Sequence, residues 1–204
     1  GERWATHHWT ALDNPYVKGA EYLERKRAEN HWDETHPTYV REYLGQWVKD
    51  ESAQVYPFAA HRNIYRELPV ESGDRWSYVL SVDIGWHDAT AFVLTASRRG
   101  HPEVYVVRAW KETNITTPRI AAEIDRVRHK PPCELPQYRL GTICIDSAGG
   151  SKVLAEDLKA TYNIPCVPAE KREKLTWIHN VRGQLLAGTL QLRSGHCQQL
   201  IEEY

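Results

Sequence analysis

Two apolar runs in this chain each end on a carboxylate. Val82-Asp83-Ile84-Gly85 closes one, directly before a glycine turn. Cys144-Ile145-Asp146 closes the other, before the small-residue loop Ser147-Ala148-Gly149-Gly150. A carboxylate at the end of a buried strand is costly unless it is paired or metal-bound. If the two strands are neighbours, both acids emerge at one edge of a sheet. There they repel one another unless a cation lies between them. Hard divalent ions with oxygen ligands meet that demand. Two such ions, about 4 Å apart, activate a water and stabilise the leaving oxygen of a phosphodiester. Asp88 stands in the turn after Asp83 and is placed to reach a second ion directly or through water. The plain alternative for each acid is a turn-capping or helix-capping aspartate. A third acid is missing from the expected place. No Asp follows Asp157, which reads as a solvated helix residue, and Glu202 and Glu203 read as an exposed helix face.

Basic residues supply the complementary chemistry. Lys171, Arg172 and Lys174 cluster, followed by His179 and Arg182, which share one helix face three residues apart. They suit the phosphates of a nucleic-acid strand, or simply a solvated charged face. Ser147, Gly149, Gly150 and Lys152 form a loop that feeds a helix N-terminus, where anions are favoured. Arg98 and Arg99 fall in an expected hairpin tip and extend a DNA track if they are free to do so.

The elements that must position these groups follow from periodicity and punctuation. Residues 76–84 read as a central strand buried on both faces, 89–96 as a second strand and 103–110 as a third. Thr116 or Thr117 caps a helix with Pro118 in its first turn, and Ile120, Ile124 and Val127 recur at helical spacing. A short strand at 140–145, also buried on both faces, precedes a helix over 151–162. A fifth strand at 164–168, a helix at 175–187, a strand at 190–193 and the start of a helix at 196–204 complete the series. Three meandering strands followed by helix-separated strands predict a mixed α/β sheet flanked by helices, in the ribonuclease H-like order.

Upstream, residues 3–11 alternate as a strand does, and 18–30 and 37–45 read as helices, the second opened by Pro37 and closed by Gly45. Residues 50–75 read as a connector with a short strand at 54–58, and Glu71-Ser72-Gly73-Asp74 marks the boundary. The chain thus divides into a small, mainly helical segment, 1–72, and an α/β domain, 73–204.

Composition narrows the function classes. With 26 Lys and Arg against 27 Asp and Glu the formal net charge is -1, so any nucleic-acid surface is a local patch rather than a global field. Four scattered cysteines form no CxxC pair, which argues against a zinc knuckle or a disulfide scaffold. No signal peptide and no apolar run of membrane length occurs, which predicts a soluble, intracellular protein. The chain starts at Gly1, contains no Met and stops in an amphipathic stretch, as a piece of a longer protein does.

Nearly the whole chain resembles the large terminase subunit of tailed bacteriophages, the motor-nuclease that packages and cuts viral DNA. TALDNPYV and PTYVREYLGQWVKDESAQVYPF look like the segment joining the packaging ATPase to the nuclease. SYVLSVDIGWHDATAFVLTA is similar to the first two nuclease strands, and ICIDSAGGSKVLAEDL and VPAEKREKLTWIHNVRGQLLAGTLQL to the second half. The resemblance implies a ribonuclease H-like endonuclease that uses two Mg²⁺ or Mn²⁺ ions to cut concatemeric duplex DNA. Asp83 and Asp146 fall on the family's first two catalytic acids, and Asp88 near an accessory metal-contacting aspartate. The family's third acid lies in a later segment that this chain lacks. The resemblance also implies the portal ring, the small terminase subunit and other copies of the motor as partners, in the cytoplasm of the host cell. No GxxxxGK[ST] phosphate-binding loop occurs, so ATP hydrolysis is not expected of these residues.

Two other readings compete. An actin-like or sugar-kinase-like nucleotide-binding domain also ends a strand in Asp-x-Gly before a hairpin, but Trp86, His87 and Asp88 would crowd a phosphate there. A non-catalytic DNA or portal docking module is the other, with Trp4, Trp9, Trp32 and Trp47 as an aromatic partner surface.

Overall fold

The computed structural model describes residues 7–17, 19–48, 54–85, 88–131, 133–146, 151–170 and 172–203. The expectations for Trp4, Trp86, His87, the 147–150 loop and Lys171 lie outside the described residues.

Contacts divide the chain into Gly1–Gln54 and Val55–Tyr204. The first unit holds helices α1 (Gly19–Glu29) and α2 (Pro37–Glu42). Leu23 is the single buried residue of α1, and it forms a small core with Tyr39 and Val40 of α2. Rings close this core: Trp32 stacks on His36 at 5.1 Å and Tyr39 on Tyr43 at 5.8 Å. Trp32 is therefore half-buried against this core, whereas Trp9 and Trp47 are exposed. The strand expected at 3–11 does not form among its described residues. Instead Thr10 opens a single 3-10 turn, Ala11–Asp13. Its hydroxyl accepts from the Leu12 N–H at 3.2 Å, and Asp13 Oδ2 accepts from the Thr10 N–H at 2.7 Å. That reciprocal capping outcompetes an extended backbone.

The second unit is a seven-stranded mixed sheet. Its strands are β1 (Ile64–Tyr65), β2 (Trp76–Asp83), β3 (Thr90–Arg98), β4 (Val104–Glu112), β5 (Leu140–Ile145), β6 (Val167–Pro168) and β7 (Leu190–Arg193). Their order across the sheet is β1-β7-β4-β3-β2-β5-β6. β2, β3 and β4 form the antiparallel meander, and β5 joins β2 in parallel on its other side. The boundary expected at 72/73 therefore falls inside this unit. β1 pairs with β7, and the Asn63 side chain donates to the carbonyls of Leu185 and Leu190, which ties 55–72 to the sheet. No strand forms at 54–58, where Pro57 lacks a donor. β6 is only two residues long for the same reason, with Pro165 shortly before it and Pro168 as its second residue.

Helix α3 (Ala60–Asn63) precedes β1. Helices α4 (Thr117–His129) and α5 (Ser151–Tyr162) carry the buried stripe onto one face of the sheet. Ile120, Ile124 and Val127 of α4 and Leu154 and Leu158 of α5 pack with Tyr78, Leu80, Val82, Phe92, Leu94, Ile143 and Ile145. The opposite face belongs to a smaller cluster in which Val93 and Ala109 meet Leu200 and Ile201 of α7 (Gln198–Ile201). Helix α6 (Lys174–Ala187) buries only Leu185.

Burial on both faces, expected for β2 and β5, is not what the sheet shows. β2 alternates between buried and more accessible positions, with Ser77, Ser81 and Asp83 exposed, and Thr142 and Cys144 of β5 are half-buried. Small and polar residues at every second position leave the Asp83 face thinly covered, so each strand is buried on one side.

Candidate metal and phosphodiester site

The parallel pairing of β2 with β5 fixes the central geometry. Val82 is in register with Ile145, and the Asp146 N–H donates to the Val82 carbonyl at 3.2 Å. The next step along both chains brings Asp83 and Asp146 side by side, one strand spacing of about 4.8 Å apart at the backbone. Val82 and Ile145 point into the α4/α5 core, so alternation turns the two aspartates to the other, open face. Asp83 is exposed and Asp146 half-buried. Among the described residues no hydrogen bond or ion pair reaches the Asp83 side chain. The charge of Asp146 is felt next door: the Cys144 thiol is pushed up first by burial and then by that carboxylate.

Gly85 is required where it stands. A Cβ there would meet the carbonyl oxygens of Asp88 and Ala89 at 2.6 and 2.7 Å. Those are backbone atoms with nowhere to go. The glycine thus lets the chain fold back from β2 into β3 and keeps exposed Asp88 close to the end of β2.

The basic residues divide into two groups. The Ala169 N–H donates to the Ile145 carbonyl at 2.8 Å, so β6 leaves the sheet at the level of Asp146. Arg172 and Lys174 follow within five residues and are exposed, as is His179. Arg172 lies 3.8 Å from Glu170 and is itself largely solvated. Arg182 is half-buried on α6, and Lys152 is exposed in the first turn of α5, just after the carboxylate edge. The other group is remote. Asp83 pairs with Ala91 and Trp76 with Arg98, seven steps along the same ladder, which at 3.3 Å per residue puts the hairpin about 23 Å away.

Arg98 in particular corrects the expectation of a free hairpin cation. It is only 7% exposed. Its Nη1 sits 3.3 Å from both Glu71 and Asp74, and its guanidinium lies 5.7 Å over the Trp76 ring. Phe92, Leu94, Ala96 and Arg98 alternate onto the same buried face, which puts Arg98 inside the sheet and leaves Arg99 and Gly100 as the exposed tip. The period-two pattern in the sequence carried this signal.

The donor set at the carboxylate edge suits a hard divalent cation: two neighbouring carboxylates on one face, one of them without a partner among the described residues. Among the described residues, no group of three His, Cys, Asp or Glu side chains gathers to hold an ion. No helix among them is long and apolar enough to cross a membrane.

No protein-family model matches the sequence, and no curated protein matches it. Solved structures do. The large terminase from a thermophilic bacteriophage superposes with a TM-score of 0.57 at 18% identity, over 94% of this chain and 44% of that one. The nuclease domain of the P22 large terminase superposes with a TM-score of 0.53 at 14% identity, over 74% of this chain and 77% of that one. The present chain therefore spans less than half the length of the thermophilic phage protein. Its sheet, with helices on both sides, has the ribonuclease H-like fold of the large terminase nuclease domain.

Proposed function

We propose that this chain is the nuclease part of a phage large terminase, a metal-dependent endonuclease that cuts concatemeric duplex DNA during genome packaging. The observation that carries the reading is the juxtaposition of Asp83 and Asp146 at adjacent strand ends on the open sheet face. Two carboxylates placed side by side without an intervening cation are unfavourable. That arrangement is explained if the pair serves to bind Mg²⁺ or Mn²⁺.

Asp83 and Asp146 would hold the ions, with Asp88 contributing to the second. When bound, such ions supply an activated water and neutralise charge on the leaving oxygen. The chain's own task is to present carboxylate oxygens on rigid strand ends and to orient the strand to be cut. Arg172, Lys174, Arg182 and Lys152 lie on elements that leave or follow the same edge, and with Lys171 they would grip backbone phosphates. In the full-length motor, the segment before the sheet unit, residues 1–54, would join this domain to the packaging ATPase. The portal ring, the small terminase subunit and further large-subunit copies would be its partners in the host cytoplasm.

The test is plasmid nicking with Mn²⁺ by the wild type and by Asp83→Ala. Cleavage that requires the metal and disappears in the variant is expected. Equal nicking by both proteins would refute the role of Asp83. Thermal protection by nucleotide, without protection by the metal alone, would favour a nucleotide-binding domain instead.

A further inference from the structure

The ladder that seats Asp83 continues across the sheet to a cation. Asp83 is in register with Ala91 of β3, and Ala91 with Lys111 of β4. In-register residues on neighbouring strands share a face, so Asp146, Asp83, Ala91 and Lys111 form one row on the open side. Two strand spacings, about 9.6 Å, separate the backbones of Asp83 and Lys111. The residue between them in this row, Ala91, carries only a methyl group, and the long, flexible lysine stem can swing across it.

Lys111 is presently occupied on its other flank. Its Nζ lies 2.7 Å from Glu203 Oε1, just beyond α7, and its main-chain N–H donates to Gln199 Oε1 at 3.0 Å. The two side chains of the ion pair are 46% and 57% exposed, and a small cavity lined by Ala91, Lys111, Gln199 and Glu203 opens beside them. An exposed pair of this kind exchanges readily for a better anion. The tie between α7 and the sheet does not depend on it, because the Gln199 bond uses the backbone of residue 111 and Leu200 and Ile201 pack independently.

We propose that Lys111 grips the strand being cut: its ammonium leaves Glu203 for a non-bridging phosphate oxygen of the nucleotide seated over Asp83, or of its neighbour, with Glu203 as the resting partner. The assignment rests on the nuclease reading above and adds a substrate contact on the flank opposite the Arg172–Lys174 cluster.

Binding of a short DNA duplex in Ca²⁺, followed by anisotropy through a salt series, and Mn²⁺-dependent cleavage test it on the full chain. Lys111→Gln is expected to lower the slope of log affinity against log salt by about 0.9, the increment of one released counterion, and to raise KM about tenfold. Lys111→Arg should restore the slope. Glu203→Gln frees the ammonium and should tighten binding a few-fold with the slope kept. A merely structural pair would behave differently, since losing either partner would then have the same effect. An unchanged slope and KM in Lys111→Gln, or weakened binding in Glu203→Gln, overturns the role of Lys111 while leaving the nuclease reading intact. Failure of the wild type to bind duplex at all overturns both.

Discussion

The β2–β3 pair carries a charge at each end, and the two ends treat it in opposite ways. At the hairpin end Arg98 is drawn inside, with Glu71 and Asp74 accepting from its guanidinium and Trp76 beneath it. At the other end Asp83 sits in the open beside a second carboxylate, its side chain with no hydrogen bond or ion pair among the described residues. A charge that is buried and paired with carboxylates within the fold is of little use to a ligand. A charge left unpaired next to its like is a cost to the fold that a bound cation offsets. The contrast predicts that substitutions at the two ends separate activity from stability.

The largest effect is expected at the carboxylate end. Asp83→Asn should lower metal-dependent cleavage at least about a hundredfold, the equivalent of a few kcal/mol of lost transition-state stabilisation. In metal-free buffer its melting temperature should equal or slightly exceed that of the wild type, because a like-charge contact is relieved. A variant that melts markedly lower would mean that Asp83 is a structural residue and would dissolve the contrast. Gly85→Ala comes next. Its methyl would collide with the backbone of residues 88 and 89. It should cost about 1–3 kcal/mol in urea unfolding, as overpacking does, and reduce cleavage by misplacing Asp83 and Asp88 together. Full activity in that variant would show that the turn does not position the site.

Arg98→Ala should show the reverse pattern. The melting temperature should drop by several degrees, since removing the guanidinium leaves Asp74 poorly paired and uncovers Trp76. Cleavage per folded molecule, measured well below that transition, should be unchanged. Lost DNA binding at unaltered stability would restore Arg98 to the substrate track.

How far these two ends are legible in the sequence follows from the same physics. The carboxylate end is readable because apolar runs ending in Asp before small residues are local signals, and the meander followed by a helix-separated strand predicts that β2 and β5 are neighbours. The hairpin end reads wrongly unless alternation is followed to its last residue. Arg98 belongs to β3, an even step from Phe92, and faces the core, whereas proximity to Gly100 suggests an exposed tip. The same alternation bears on the strands expected to be buried on both faces, since Ser77, Ser81 and Asp83 already mark an open one. The two-residue β1 has no periodicity to read. It exists because Asn63 and β7 hold it, contacts more than a hundred residues apart. The row from Asp83 to Lys111 needs the register of two ladders, which a sequence does not specify by itself.

The smallest effect concerns pH and belongs again to the hairpin end. The carboxyl of Asp74 is held below the usual carboxylate range, first by the Glu71 main-chain N–H, which donates to it at 2.8 Å, and then by Arg98, against the opposing effect of desolvation. A carboxyl depressed in the folded state binds protons less readily than in the unfolded chain. Its contribution to stability is therefore complete above the unfolded value of about 3.9 and fades as pH falls through the folded one. Urea unfolding of Asp74→Asn should accordingly show a shallower loss of stability on the acid side, converging with the wild type at the lowest pH. Glu71→Ala separates the two causes. It removes one carboxylate from Arg98 but keeps the N–H donor, so most of the acid slope should survive. If Asp74→Asn instead runs parallel to the wild type throughout the acid limb, the carboxylates around Arg98 do not govern it, and the closed charge cluster at this end is not the source of acid sensitivity.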